Sequence, residues 1–359
     1  MPKLYGKTYT KHDLLQRVGD ISQLGGVERF QLHEGLEQGV EGVRFRTGTG
    51  LSFDVLLSRG MDISTTEYQG VPLVWRSPTG RVAPTYYDPR NTGWLRSFHG
   101  GMLVTCGLTS VGSPSEDSGE ELGLHGRISN IPASNTHVGG CWQDDDYLMW
   151  AEGQMKQAVV FGENLILHRR VEAKLGENRF FVHDRVKNLG FTTTPHMLLY
   201  HINLGFPLVD PETDLLLPSI EVTPRDQEAE RDLQDFAKIT EPQPAYQEKV
   251  YYHQMGQDAQ GFTYVAVINR RLDDGLGIYL KYKKSQLPQF VQWKMFGQGT
   301  YVLGLEPANC FVEGRALERE RGTLHYLQPQ QERHYDLEIG VLTCSSEIDR
   351  IKERVADCK

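Results

Sequence analysis

Hydrophobic and polar residues alternate with period two along most of this chain, the pattern of half-buried β-strands rather than of helices. Val43 and Phe45 alternate with arginines, and Leu51, Phe53 and Val55 alternate with Ser52 and Asp54, with turn residues between the two runs. Similar short runs, bounded by Gly, Pro, Asn or Asp, predict strands at 71–75, 147–152, 158–161, 165–173, 179–188 and 196–204. They continue at 263–269, 277–282, 290–296, 301–305 and 334–343. Strands at this spacing, without the alternating helix pattern of a parallel sheet, predict a mainly β fold, a large antiparallel β-sandwich. A few short helices are expected: 11–18, with Thr10 as N-cap and Gly19 past its end, then 230–238, and a terminal helix at 345–356. The stretch 210–248 is polar, acidic and broken by prolines, and reads as a solvated insertion rather than a cover for one end of the sandwich. No linker or repeat divides the chain, so one domain over 1–359 is expected.

Composition narrows the ligand class. The chain is 39% hydrophobic and 24% charged, as in globular proteins, and carries a formal charge of −9. That balance offers no footprint for nucleic acid or an anionic membrane, and suits a small neutral ligand such as a sugar. Five cysteines form no CxxC pair and are odd in number, which argues for a reducing compartment. With no apolar signal core and no run of about 18 apolar residues, a cytoplasmic protein is expected. Nothing in the pattern specifies an oligomeric state.

Several stretches carry candidate chemistry. Between 96 and 133 two His-Gly steps, His99-Gly100-Gly101 and His125-Gly126-Arg127, flank a loop rich in Gly, Ser and Glu, as a binding rim or a pair of turns would. In the run 196–204, His201 and Asn203 share one strand face while Tyr200, Ile202 and Leu204 face the other way. Such a polar pair needs partners, either in a site or in the core. Glu306 ends an apolar run and precedes Pro307, which places it at a strand terminus facing a cleft or solvent. Gln292-Trp293-Lys294 sets an indole between hydrogen-bonding side chains, an arrangement that suits sugar rings and also occurs in cores. Metal chemistry has little support: no two histidines stand at zinc-ligand spacing, and the aspartates 144–146 lack calcium-loop spacing. The Thr47–Gly50 run is a hairpin turn rather than a phosphate loop, and there is no GxSxG elbow.

Taken together, RGMDI (59–63), FHGGMLVTCGL, GLHGRISNIPA, LLYHINLGFPL, QWKMF and VLGLEPAN resemble, in order and spacing over about residues 50 to 310, the galactose mutarotase-like superfamily of aldose 1-epimerases, in a divergent branch. The resemblance implies the supersandwich fold of that superfamily, with a sugar cleft on one face and no metal or organic cofactor. It implies His201 as general acid and Glu306 as general base, with His125 holding the sugar and His99 as its alternative. An arginine lining the cleft is implied, which Arg59, Arg96 or Arg127 could supply. Asp62, Asn203, Lys294, Trp293 and His253 complete the expected substrate-binding set. The best-known members have an Asn-rich run before the first His-Gly step and an aromatic pair after the acid histidine. This chain has neither, which leaves the substrate open.

The implied reaction interconverts α and β anomers: Glu306 takes the proton of the anomeric hydroxyl, His201 protonates the ring oxygen, and the opened sugar recloses on either face. It requires an ionised Glu306 and a His201 whose pKa is raised by about one unit, on the order of 1.4 kcal/mol, by a nearby carboxylate. Glu306 is accordingly expected across the cleft from His201, a sugar ring's width away. A non-catalytic carbohydrate-binding protein, or an isomerase or lyase acting on a modified sugar or sugar acid, would use the same scaffold.

Overall fold

The structure is a computed structural model and describes residues 1–272 and 275–359. Three antiparallel sheets dominate it. The largest has eight strands, in the order Ser134–Gln143, Asp146–Ala158, Asn164–Lys174, Arg179–Asn188, Glu332–Leu342, Leu276–Lys283, Phe262–Asn269 and Thr213–Leu216. A six-stranded sheet runs Ser219–Pro224, Lys249–Met255, Gln289–Gly297, Thr300–Ala308, Met197–Gly205 and Val104–Leu108. A five-stranded sheet is built from residues 26–72 and touches the edge of the six-stranded one through a bridge between Ile63 and Leu103. The expected mainly β sandwich with short helices is what forms.

Period two explains the layering. In Arg179–Asn188 every second residue is buried, so one face meets the core and the other meets water. Met197–Gly205 is buried at every position, because both faces of the six-stranded sheet are covered. Its Leu198, Tyr200, Ile202 and Leu204 join one core with Leu167, Val182, Ile278 and Leu337 of the large sheet and Val43, Phe53 and Ile63 of the third. Met197 and Leu199 point the other way, into a separate cluster with Val104, Cys106, Val250, Val291, Trp94 and Phe98. That second face carries the candidate site.

Four sequence expectations shift. The 147–152 and 158–161 runs are not two strands: Asp146–Ala158 is one strand, and Val159, Val160 and Phe161 form its exposed turn. Of the 71–75 run only Val71–Pro72 forms a strand, and Val74 makes an isolated antiparallel bridge to Leu204. The first helix is the shorter Lys11–Leu15, closed by a capping box between Thr10 and Asp13. The stretch 210–248 is not a solvated insertion. Its helix is Gln227–Arg231 rather than 230–238, the Phe236 ring lies tilted 6.3 Å from Tyr251 and edge-on 5.5 Å from His253, and Ile239 enters the main core, so this segment packs on the six-stranded sheet.

Candidate active site

Strand register brings His201 and Glu306 together. Leu199 lies opposite Ala308 and Ile202 opposite Leu305, which sets His201 opposite Glu306 on the second face of the sheet. Their side chains meet at 3.2 Å between Nε2 and Oε1. A sugar ring's width between them, the sequence expectation, is therefore wrong: cross-strand neighbours on one face are in direct contact. Glu306 is also not at a strand end. It sits inside Thr300–Ala308, with Pro307 paired in the ladder opposite Phe290.

Gly304, two residues before Glu306 on the same face, leaves room for the carboxylate. A Cβ there would stand 2.7 Å from Glu306 Oε1 and 2.9 Å from Trp293 Cβ. Trp293 faces Gly304 across the sheet, and its ring centroid lies 5.4 Å from that of His201. Asn203 shares the face, as expected, and its amide donates to the carbonyls of His201 at 2.8 Å and Gly101 at 3.2 Å.

A roof closes this floor. The turn Gly93–Arg96 and the residues after it lay Trp94 and Phe98 over the pair, with Phe98 5.0 Å and Trp94 6.4 Å from the His201 ring. Trp75 adds a further wall against Phe98 and Trp293. His201 is 5% and Glu306 2% exposed. The aromatic residues Trp75, Trp94 and Phe98 were not singled out in the sequence. The available signal was the four-residue spacing of Trp94 and Phe98 just before the first His-Gly step.

His125 joins the pair and His99 does not. The His125 ring lies 5.7 Å from that of His201, edge to face, and 4.7 Å from Trp94. Its backbone is left-handed at φ 57°, and Gly126 must be glycine because a Cβ would come within 2.4 Å of Gly107 O and 2.5 Å of Ser110 O. The Gly112 N–H donates to Nδ1 at 3.4 Å, which leaves the proton on Nε2 and makes that atom a donor. Burial pushes the His125 pKa down to about 4, so the ring stays neutral. His99 is buried beside Ser64, Arg76 and Arg81, with neither ring nitrogen partnered among the described residues. Phe98, its neighbour, takes the place facing His201.

Several expected ligands serve the fold instead. Arg59 is fully buried and donates to the carbonyls of Ser129, Val82 and Ser97 at 2.8, 2.6 and 2.9 Å, clamping the roof segment to the loop after His125. Asp62 accepts from the Thr105 N–H and hydroxyl and from Arg169, in a buried network that also holds Asp184. Burial lifts its pKa to about 6. Lys294 and His253 lie on the opposite face from Trp293. Lys294 Nζ donates to the carbonyls of Asp235 and Lys238, and His253 bonds Ser219 and Gln292. Arg127 and Arg96 are exposed, Arg127 in the wall of a different cavity. The arginine that does bear on the pair is Arg225, which the sequence did not suggest. It bonds Glu248 at 3.0 Å, and Glu248 in turn accepts the Trp293 indole N–H at 2.9 Å.

Electrostatics shift both groups in the direction opposite to the one expected. Burial raises Glu306 well above its ordinary value, Glu248 adds to this, and Arg225 opposes it. Burial lowers His201 well below 6.5, and His125 adds to that. Desolvation thus moves both groups towards their uncharged forms. Among the described residues no group of three or more His, Cys, Asp and Glu could hold a metal ion, and no helix is long and apolar enough to cross a membrane.

Residues 37–341 match the model of a sequence family described as a domain of unknown function, DUF4432. No curated protein matches the chain in sequence. Among solved structures, a candidate aldose 1-epimerase from Klebsiella pneumoniae is 26% identical, with TM-score 0.88 over 92% of this chain and 87% of its own. A galactose mutarotase-like protein from Clostridium acetobutylicum is 11% identical, with TM-score 0.63 over 89% of this chain and 99% of its own. A galactose 1-epimerase from Lactobacillus acidophilus is 15% identical, with TM-score 0.53 over 89% and 99%. The last two share the fold alone. The fold is that of the galactose mutarotase-like sandwiches, as the sequence motifs implied.

Proposed function

The chain belongs to the DUF4432 family of domains of unknown function, and from that footing we propose that it is an isomerase of the aldose 1-epimerase kind, interconverting the anomers of an aldose or aldose derivative. One observation carries the reading: a histidine and a glutamate in contact at 3.2 Å, both buried, on the covered face of a central sheet. The ring oxygen and the anomeric hydroxyl are bonded to the same carbon. An acid and a base side by side therefore suit the reaction better than a pair on opposite walls.

One shared proton is enough for both directions. With Glu306 as carboxylate and His201 as imidazolium, Glu306 takes the anomeric proton and His201 gives one to the ring oxygen, which opens the ring. That leaves a carboxylic acid and a neutral imidazole, the arrangement burial favours. After rotation about the C1–C2 bond the same groups return their protons and close the ring on either face. The Nε2–H of His125 donates to a sugar oxygen, and the Trp293 face packs on the apolar side of the ring. Because the pair is closed to water, Trp94 and Phe98 must swing aside for a sugar to enter and then exclude solvent behind it.

Polarimetry on freshly dissolved α-D-glucose and α-D-galactose, extended to acidic and phosphorylated sugars, tests this. The protein is expected to speed equilibration of at least one, and Glu306→Gln to lose about 10²–10⁴-fold of that rate. A Gln variant as fast as the native protein, or no acceleration on any sugar, would refute the reading.

A further inference from the structure

A second pocket lies on the reverse side of the turn that carries His125. Its volume is about 470 Å³, within the usual range of about 300–1,000 Å³ for small-molecule sites. Its walls come from residues 87–91, the loop 109–116, the hairpin around Glu120–Leu122, Gly126-Arg127, Gln157 of the large sheet and Glu163 in the turn that follows that strand. None of His201, Glu306, Trp94, Phe98 or Trp293 lines it. The loop between the two His-Gly steps thus encloses a space of its own.

The wall chemistry selects a ligand class. Four carboxylates, Glu116, Glu120, Glu121 and Glu163, face two guanidiniums, Arg90 and Arg127, a balance that repels anions. Arg315 neutralises Glu120 at 2.6 Å, and Asp88 holds Arg90 at 3.3 Å. What remains is one cationic donor, Arg127, beside acceptors Glu116, Glu121 and Glu163, none with an ion-pair partner among the described residues, though Glu163 accepts from the Gln157 amide at 3.4 Å. A hydroxyl both donates and accepts, so a ring of neighbouring hydroxyls satisfies both kinds of group, whereas a cation would have to sit against Arg127. Two buried hydroxyls of the wall, Ser110 and Ser115 Oγ, also lack a hydrogen-bond partner among the described residues, which is costly unless a ligand supplies one. The Tyr87 hydroxyl is tied to Gly126 O at 2.8 Å, so this wall is braced against the His125 turn.

We propose that this pocket is a second binding site, separate from the His201–Glu306 pair, and that it takes an uncharged carbohydrate unit. Calorimetric titration of maltose and D-glucose into the full chain carrying His201→Asn and Glu306→Gln tests it, since that chain lacks the acid and the base. A saturable event is expected to persist there and to weaken at least about tenfold when Glu121→Ala or Arg127→Ala is added. Both side chains are exposed, and circular dichroism checks that the fold is kept. No saturable binding, an event insensitive to both changes, or tighter uptake of glucose 6-phosphate or spermidine than of either sugar would overturn the proposal. Failure of the native protein to anomerise any sugar would leave this titration unaffected, so the two readings fail separately.

Discussion

His201 and Glu306 are directly opposed residues of neighbouring antiparallel strands, with Nε2 and Oε1 3.2 Å apart. Their spacing is therefore set by backbone hydrogen bonds of a sheet buried on both faces, not by mobile loops. Rigid elements hold reacting groups more precisely than loops do, and here the loops are left to supply His125 and the roof.

The buried pair should make stability depend on pH in two opposite ways. Glu306 is raised above its unfolded value, so the stability it contributes is present below about pH 4.5 and is lost as pH rises through its folded value. His201 is depressed, so its contribution is present above about pH 6.5 and is lost as pH falls through its folded value. Glu306→Gln removes the first effect. The Tm of the variant relative to the native protein is expected to climb as pH rises above about 4.5 in scanning calorimetry. A difference that stays flat would mean that Glu306 is ionised in the folded state.

Gly304→Ala should displace the base without touching it. The added Cβ meets Glu306 Oε1 at 2.7 Å and Trp293 at 2.9 Å, so the carboxylate or the indole must shift. A loss of about 1–3 kcal/mol in stability is expected from overpacking. At temperatures where the variant is folded, kcat should fall more than KM rises, and the pH–rate profile should move. Unchanged kinetics with an unchanged profile would remove Gly304 from any positioning role.

For His125 the expected role is donation from a fixed Nε2–H. His125→Ala should raise KM about tenfold or more, the worth of one good hydrogen bond in a closed site, with a smaller effect on kcat. An effect confined to kcat would indicate that His125 takes part in proton transfer instead.

Arg59→Lys separates a structural arginine from a ligand-binding one. Lysine cannot reach three carbonyls from one rigid fork, so a loss of about 2–4 kcal/mol and a lower Tm are expected. The KM for the best sugar should change little in the folded protein. A selective rise in KM with Tm intact would return Arg59 to the binding set.

Much of this molecule was legible in its residue pattern, and the failures have physical causes. The period-two runs marked most strands, and the same period put His201 and Asn203 on one face of theirs. RGMDI misled because a buried arginine and aspartate look like ligands in a sequence, while here backbone carbonyls, Thr105 and Arg169 satisfy them. Pro307 misled because proline usually ends a strand, yet this one stays in the ladder.

The sequence by itself determined which residues alternate, hence which side chains of one strand share a face: His201 with Asn203, Gly304 with Glu306, and Trp293 apart from Gln292 and Lys294. Tertiary structure decided which faces of different strands coincide, because that depends on register, and a one-residue slip turns every side chain over. It therefore set the His125 ring 5.7 Å from that of His201, turned His253 and Lys294 away from the pair, and closed an aromatic roof over His201 and Glu306. With the roof came the burial that pushes both groups towards their uncharged forms, since desolvation depends on what packs around a group and not on its place along the chain.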